Sequence, residues 1–213
     1  LYQLLMDDYT VTRSPRSYNS QIGVPLSVWG LWAQSQIGIF EAAISQPGEM
    51  EALEAIIQPT IGVFTCLGSA HQENFESMEQ KCAEKLQLFR DAQTLIYPAD
   101  DPIVSKCVEQ MDFRGKLIPW HRTGKGAMED NKEICRAVCR HLGMSEEVIN
   151  ERVARLEPVA MRLEVKSGRN GCTLINDSYN SDLGSLDIAL DFMSRRPERE
   201  GLTRVLILSD IQQ

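Results

Sequence analysis

Long apolar runs are missing from this chain. No stretch approaches the ~20 residues of a membrane-spanning helix, and nothing at the start reads as a signal peptide. Basic charge is scarce as well. The 22 Lys and Arg against 30 Asp and Glu leave a net charge of −8, whereas a nucleic-acid module carries a basic footprint. Cysteines at 66, 82, 107, 135, 139 and 172 lack the rhythm of a disulfide framework or a zinc ribbon. Cys135 and Cys139 lie one turn apart near His141, but no second ligand pair at metal spacing accompanies them. Reduced, mostly buried thiols are the expectation. A glycine-rich phosphate loop is also absent. Thr123-Gly124-Lys125-Gly126 imitates one, yet Pro119 stands where the Walker pattern needs its first glycine. Gly126 replaces the required Ser or Thr, so a surface turn is expected.

What is present is an ordinary globular composition. Hydrophobic residues at 43% over 213 positions suffice for one large domain or two small ones. Short apolar runs alternate with amphipathic stretches, which points to α/β organisation. Strands are expected at 9–13, 36–42, 60–67, 94–97, 116–119, 172–176 and 204–209. One helix is expected over 72–92, with Phe75, Met78, Cys82, Leu86 and Phe89 inward. Others are expected over 129–142, stopped by Gly143, after Ser145 as a cap, and from Ser185 to Met193. The polar turn 166–171 reads as a hairpin loop. A domain boundary is expected near Glu157-Pro158, dividing the chain into 1–157 and 158–213. The first residue is Leu1 rather than Met, and the last follows a strand-like run. A piece of a longer protein is therefore expected.

Two strand-like runs end on metal-competent side chains: 36–40 on Glu41, and 61–67 through Gly68-Ser69-Ala70 on His71. Ligands of parallel α/β sheets sit beyond the carboxyl ends of the strands, so these two groups are candidates for one cation. Alone, each is as well explained as a solvated carboxylate or a helix cap.

Context strengthens the pair. Glu41 through Gly48-Glu49, Thr65 through His71, and Asn19-Ser20-Gln21-Ile22-Gly23-Val24-Pro25 each resemble segments of the Mur ligase family. So do Pro158 through Glu164, which carries Arg162, and Ile175-Asn176-Asp177-Ser178-Tyr179-Asn180-Ser181. The family comprises ATP-dependent amide-bond formers of bacterial cell-wall synthesis. The resemblance implies an incomplete central ATPase-type domain, a mostly parallel sheet flanked by helices, followed by the start of a Rossmann-like C-terminal domain. It implies ATP and Mg2+, with Glu41, His71 and a carbamylated Lys85 holding metal, and Lys85 and His71 serving catalysis. It assigns nucleotide contacts to Asn131, Arg162, Asp177, Tyr179 and Asn180. Lys81, one turn before Lys85, is expected to be a solvated lysine whose replacement would be silent.

The Tyr179-Asn180 pair is the form of the family member that adds D-alanyl-D-alanine to UDP-N-acetylmuramoyl-tripeptide, although Ser181-Asp182-Leu183 replaces its usual continuation. The resemblance therefore implies that dipeptide and that nucleotide-linked tripeptide as partners, a cytoplasmic location, and in some bacteria fusion to an alanine racemase. It also implies that residues 1–213 alone are inactive, since the family's phosphate loop and substrate-binding N-terminal domain are not among them. The passage between the strand at 94–97 and the helix at 129–142 is shorter than the family's. Two alternatives remain: a non-catalytic Mur-like binding module, and a related ligase such as a folylpolyglutamate synthase.

Overall fold

The computed structural model describes residues 1–157, 159–179, 183–196 and 203–208. The chain divides into two compact units, Leu1–Arg155 and Leu156–Gln213.

The first unit is built around β4 (Thr94–Pro98), which lies between β3 (Ile61–Val63) and β5 (Lys116–Trp120), all parallel. Thr94, Leu95 and Ile96 are each buried, as expected of a parallel strand covered on both faces. Successive side chains point to opposite faces, and the core divides accordingly. Leu95 joins Leu53, Phe64, Phe89, Val104 and Val108 in one cluster. Ile96 joins Trp120, Ile134, Ala137 and Val138 in another. The first cluster draws on α3 (Glu49–Ile57), α4 (Met78–Leu86) and α5 (Pro102–Gln110); the second draws on α6 (Ala127–His141). At Gly62 a Cβ would come within 2.4 Å of the Phe89 ring, so glycine at this position lets the ring approach β3 closely.

Start signals match the local chemistry. Asp101 accepts from the amides of Ile103 and Val104, with Pro102 opening α5. Ser145 accepts from Val148 N at the start of α7 (Glu146–Ala154). Gly143, with φ +84°, ends α6 in the left-handed conformation that glycine adopts without strain. Near the amino end are α1 (Tyr2–Leu5), α2 (Gly23–Val28), and a separate parallel pair, β1 (Val11–Arg13) and β2 (Ile37–Ile39). Arg152 on α7 ties α1 down, donating to Leu4 O and to Asp8.

Three expectations change. The helix over 72–92 is broken: a 3-10 turn (Gln72–Asn74) is followed by extended Phe75 and Ser77 before α4 begins. Ser77 is the cap, accepting from Gln80 N at 3.0 Å, and another 3-10 turn (Gln87–Phe89) follows α4. Of the strand expected over 204–209, residues 204–208 are not in a strand, and residue 209 lies outside the described residues. A strand requires a pairing neighbour, and among the described residues none pairs with this run. The thiols are also less hidden than expected, for Cys66 and Cys172 are exposed.

The second unit contains an antiparallel hairpin of β6 (Glu164–Ser167) and β7 (Thr173–Asn176), then α8 (Leu183–Ser194). Its turn contains Asn170 and Gly171, both at positive φ. Among the described residues no helix is long and apolar enough to cross a membrane.

Candidate active site

Glu41 follows β2 in an exposed loop that Asn19 organises. The Asn19 side-chain amide donates to Glu41 Oε1 at 2.9 Å, and the Asn19 backbone carbonyl accepts from Ala43 N at 2.8 Å. Further along, Glu49 folds back to accept from the amides of Ser45 (2.6 Å) and Gln46 (3.0 Å). Those hydrogen bonds, that from Ser45 N foremost, hold the Glu49 carboxyl below its ordinary range, and nearby His71 adds to the effect.

His71 ends the loop after β3. Its side chain is exposed, with Nδ1 4.0 Å from Glu73 Oε1. Its backbone is left-handed, φ 59° and ψ 23°, a conformation uncommon for a residue with a Cβ. The Asn74 amide donates to Ser45 O at 2.9 Å, tying this loop to the one that carries Glu41.

Both loops are anchored on α4. Glu84 Oε1 accepts from Gly48 N at 2.8 Å and from Met50 N at 3.1 Å, fixing the start of α3. Lys81 donates to the carbonyls of Gly68 and Ala70. Contrary to the expectation of a solvated lysine, Lys81 is only 2% exposed. The reason is geometric: it lies on the inward stripe between Met78 and Cys82, and its stem reaches the loop from beneath. Lys85, one turn on, is half-buried. Burial lowers its pKa, opposed by Cys66, Cys82 and Glu41. The lowering makes the neutral amine, the form that can react with carbon dioxide, easier to reach.

The structure thus brings Lys85 within electrostatic reach of Glu41, and His71 within reach of Glu49. Among the described residues, no group of three or more His, Cys, Asp or Glu side chains is placed to hold a metal ion. Magnesium prefers oxygen ligands, so Glu41 and His71 suit it only with a further oxygen. Lys85 is the neighbour that could supply one after carbamylation.

In the second unit, the Arg162 guanidinium lies 4.2 Å from the centroid of the Tyr179 ring. Asp177 Oδ1 accepts from Leu163 N at 2.9 Å, and Tyr179 N donates to Met161 O at 3.2 Å. Met161 and Leu163, on either side of Arg162, both have positive φ (59° and 49°). Arg162, Asp177 and Tyr179 therefore form one cluster on a tightly turned backbone. Asn180 lies outside the described residues. Asn131 is exposed on α6 in the first unit. Thr123 to Gly126 form an exposed turn before α6, with Asp130 Oδ1 accepting from both the amide and the hydroxyl of Thr123 at 2.7 Å.

A family model described as the Mur ligase middle domain matches residues 1–130. Curated relatives share the name UDP-N-acetylmuramoyl-tripeptide--D-alanyl-D-alanine ligase, two of them as follows. That of Treponema pallidum is 33% identical over 232 residues, covering 95% of this chain and 50% of the relative. That of Bacillus subtilis is 23% identical over 241 residues, covering 99% and 52%. Among solved structures, a MurF from Acinetobacter baumannii superposes with a TM-score of 0.83 at 18% identity, covering 92% of this chain and 51% of that one. The MurF ligase from Thermotoga maritima in complex with ADP gives 0.80 at 22% identity, covering 92% and 53%. At these identities the structures speak for the fold alone. The chain spans about half the length of the curated relatives it matches.

Proposed function

Because this chain belongs to the Mur ligase family, we propose that the whole protein is an ATP-dependent ligase joining D-alanyl-D-alanine to UDP-N-acetylmuramoyl-tripeptide. The names of the curated relatives support the choice of substrates, and the ADP complex of a fold relative supports the nucleotide. The observation that carries the reading is α4. This one helix anchors the loops bearing Glu41 and His71 and carries Lys85, whose ammonium the Glu41 carboxylate favours electrostatically.

In the proposed reaction the tripeptide carboxylate takes the γ-phosphoryl group of ATP, giving an acyl phosphate and ADP. The dipeptide amine attacks the acyl carbon and loses a proton, and inorganic phosphate leaves as the amide forms. Glu41, His71 and carbamylated Lys85 would hold Mg2+, which neutralises phosphate charge when bound. Arg162 is assigned to a nucleotide phosphate, a task suited to its fixed fork of donors. Asp177 is assigned to the ribose, Asn131 to the base, and Tyr179 with Asn180 to the walls of the nucleotide site. We place the reaction in the cytoplasm, where ATP and UDP-linked precursors occur, as a step of peptidoglycan synthesis. Residues 1–213 include no Gly-x-x-Gly-Lys-Thr phosphate loop, so this polypeptide alone should not turn over.

The test is phosphate release from ATP by the full-length protein, with product mass measured in parallel. Release that requires both the UDP-linked tripeptide and D-alanyl-D-alanine, with a product heavier by the dipeptide less water, is expected. No release with any muramoyl peptide would point instead to a binding module.

A further inference from the structure

We infer that Lys81 is a positioning residue for this site: its ammonium, held by the carbonyls of Gly68 and Ala70, fixes the backbone that presents His71 and locks that loop to the helix carrying Lys85. The inference rests on the reading that Glu41, His71 and Lys85 hold a divalent cation.

Lysine is among the residues least often fully buried without a partner, yet Lys81 is 2% exposed. Among the described residues no carboxylate forms an ion pair with it. Its close polar partners are two carbonyl oxygens of a single loop, and its Nζ lies 5.7 Å from the centroid of the Phe75 ring. A buried ammonium arranged this way organises backbone rather than pairing charge. The two carbonyls flank Ser69, and the second belongs to the residue just before His71. His71 itself has left-handed backbone and an exposed side chain, so neither its own packing nor its intrinsic preference selects this conformation. Lys85 follows one helical turn after Lys81, on the same side of α4. The clamp therefore sets the distance between one proposed metal ligand on a loop and another on a helix. Outer groups of this kind orient metal ligands, and their loss typically weakens metal affinity about 10–100-fold.

The test uses full-length protein, with Mn2+ alone as the probe, titrated by electron paramagnetic resonance. Thermal unfolding is followed alongside. Lys81→Met keeps the aliphatic stem and removes the ammonium. It should weaken Mn2+ binding about 10–100-fold, as should His71→Ala. Val108→Ala, a core control on α5 that leaves the Lys81 clamp intact, should lower the unfolding temperature without changing Mn2+ affinity. Unchanged Mn2+ affinity in Lys81→Met, alongside losses in His71→Ala and Lys85→Ala, would overturn the inference and leave Lys81 a purely structural group. Unchanged affinity in all three would overturn the metal-site reading and this inference with it. Should Lys81→Met not fold, Lys81→Gln carries the same test with the same outcomes, because its shorter, uncharged side chain removes the ammonium that both carbonyls hold.

Discussion

The two units hold their candidate residues in different ways. In Leu1–Arg155, Glu41, His71 and Lys85 stand on loops and a helix fastened to a buried core, with Leu53, Leu95 and Ile96 at 0% exposure. In Leu156–Gln213 no described residue is buried, and Arg162, Asp177 and Tyr179 are held by a hairpin, local hydrogen bonds and one cation–π contact. Apolar side chains there stay open to solvent: Ile207 is 88% exposed and Val205 72%. In the proposed function the candidate metal ligands therefore stand on elements packed against a buried core, and the candidate nucleotide residues Arg162, Asp177 and Tyr179 on exposed, locally hydrogen-bonded backbone.

The largest expected effects should separate the units by stability. Leu53→Ala or Leu95→Ala should cost about 2–5 kcal/mol in urea unfolding, the usual cost of a core cavity. Leu174→Ala, on the half-exposed hairpin, should stay within about 0.5 kcal/mol. Comparable losses at both places would break the comparison, because the second unit would then have a core of its own.

A smaller effect should separate them by kinetics. Arg162→Ala should raise the KM for ATP about tenfold, near the worth of one charged hydrogen bond. The urea midpoint should barely move, since the residue packs on an exposed ring. A large drop in the midpoint with KM unchanged would make Arg162 a structural residue.

The smallest effect concerns acid. Asp8 is held below the ordinary carboxylate range, first by its hydrogen bond from Arg152, and Glu49 by the amide of Ser45. A depressed folded-state pKa gives stability that is complete above the unfolded value, about 4. That stability is lost as pH falls through the lower folded value. The first unit should therefore weaken on acidification below about pH 4, and Arg152→Met should reduce that dependence. An identical acid profile in Arg152→Met would remove Asp8 from the account.

Much of this architecture is legible from periodicity. β3, β4 and β5 announce themselves as short apolar runs, and α6 through Ile134, Ala137 and Val138. The break before α4 is hidden, because Phe75 and Met78 continue the helical apolar spacing across Ser77. β6, Glu164-Val165-Lys166-Ser167, has too few apolar residues to read as a strand and forms by pairing with β7. Within the site, the positions of Glu41 and His71 after strands follow from sequence order. Their fastenings do not, since Asn19 meets Glu41 across 22 residues and Glu84 meets Gly48 across 36. Lys81 left a trace that could have been read: it falls between Met78 and Cys82 on the inward stripe, where a lysine must find a partner.

The most direct test of the central claim is the turnover of Lys85→Ala in the full-length protein, measured with ATP, UDP-N-acetylmuramoyl-tripeptide and D-alanyl-D-alanine. Losing one preorganised electrostatic contact typically costs about a hundredfold or more in rate, or about 3 kcal/mol. A loss of that size is expected with the unfolding temperature little changed, and added formate or acetate should restore part of the rate by filling the vacated position. Wild-type turnover in Lys85→Ala would contradict the account and leave Lys85 an ordinary helix lysine.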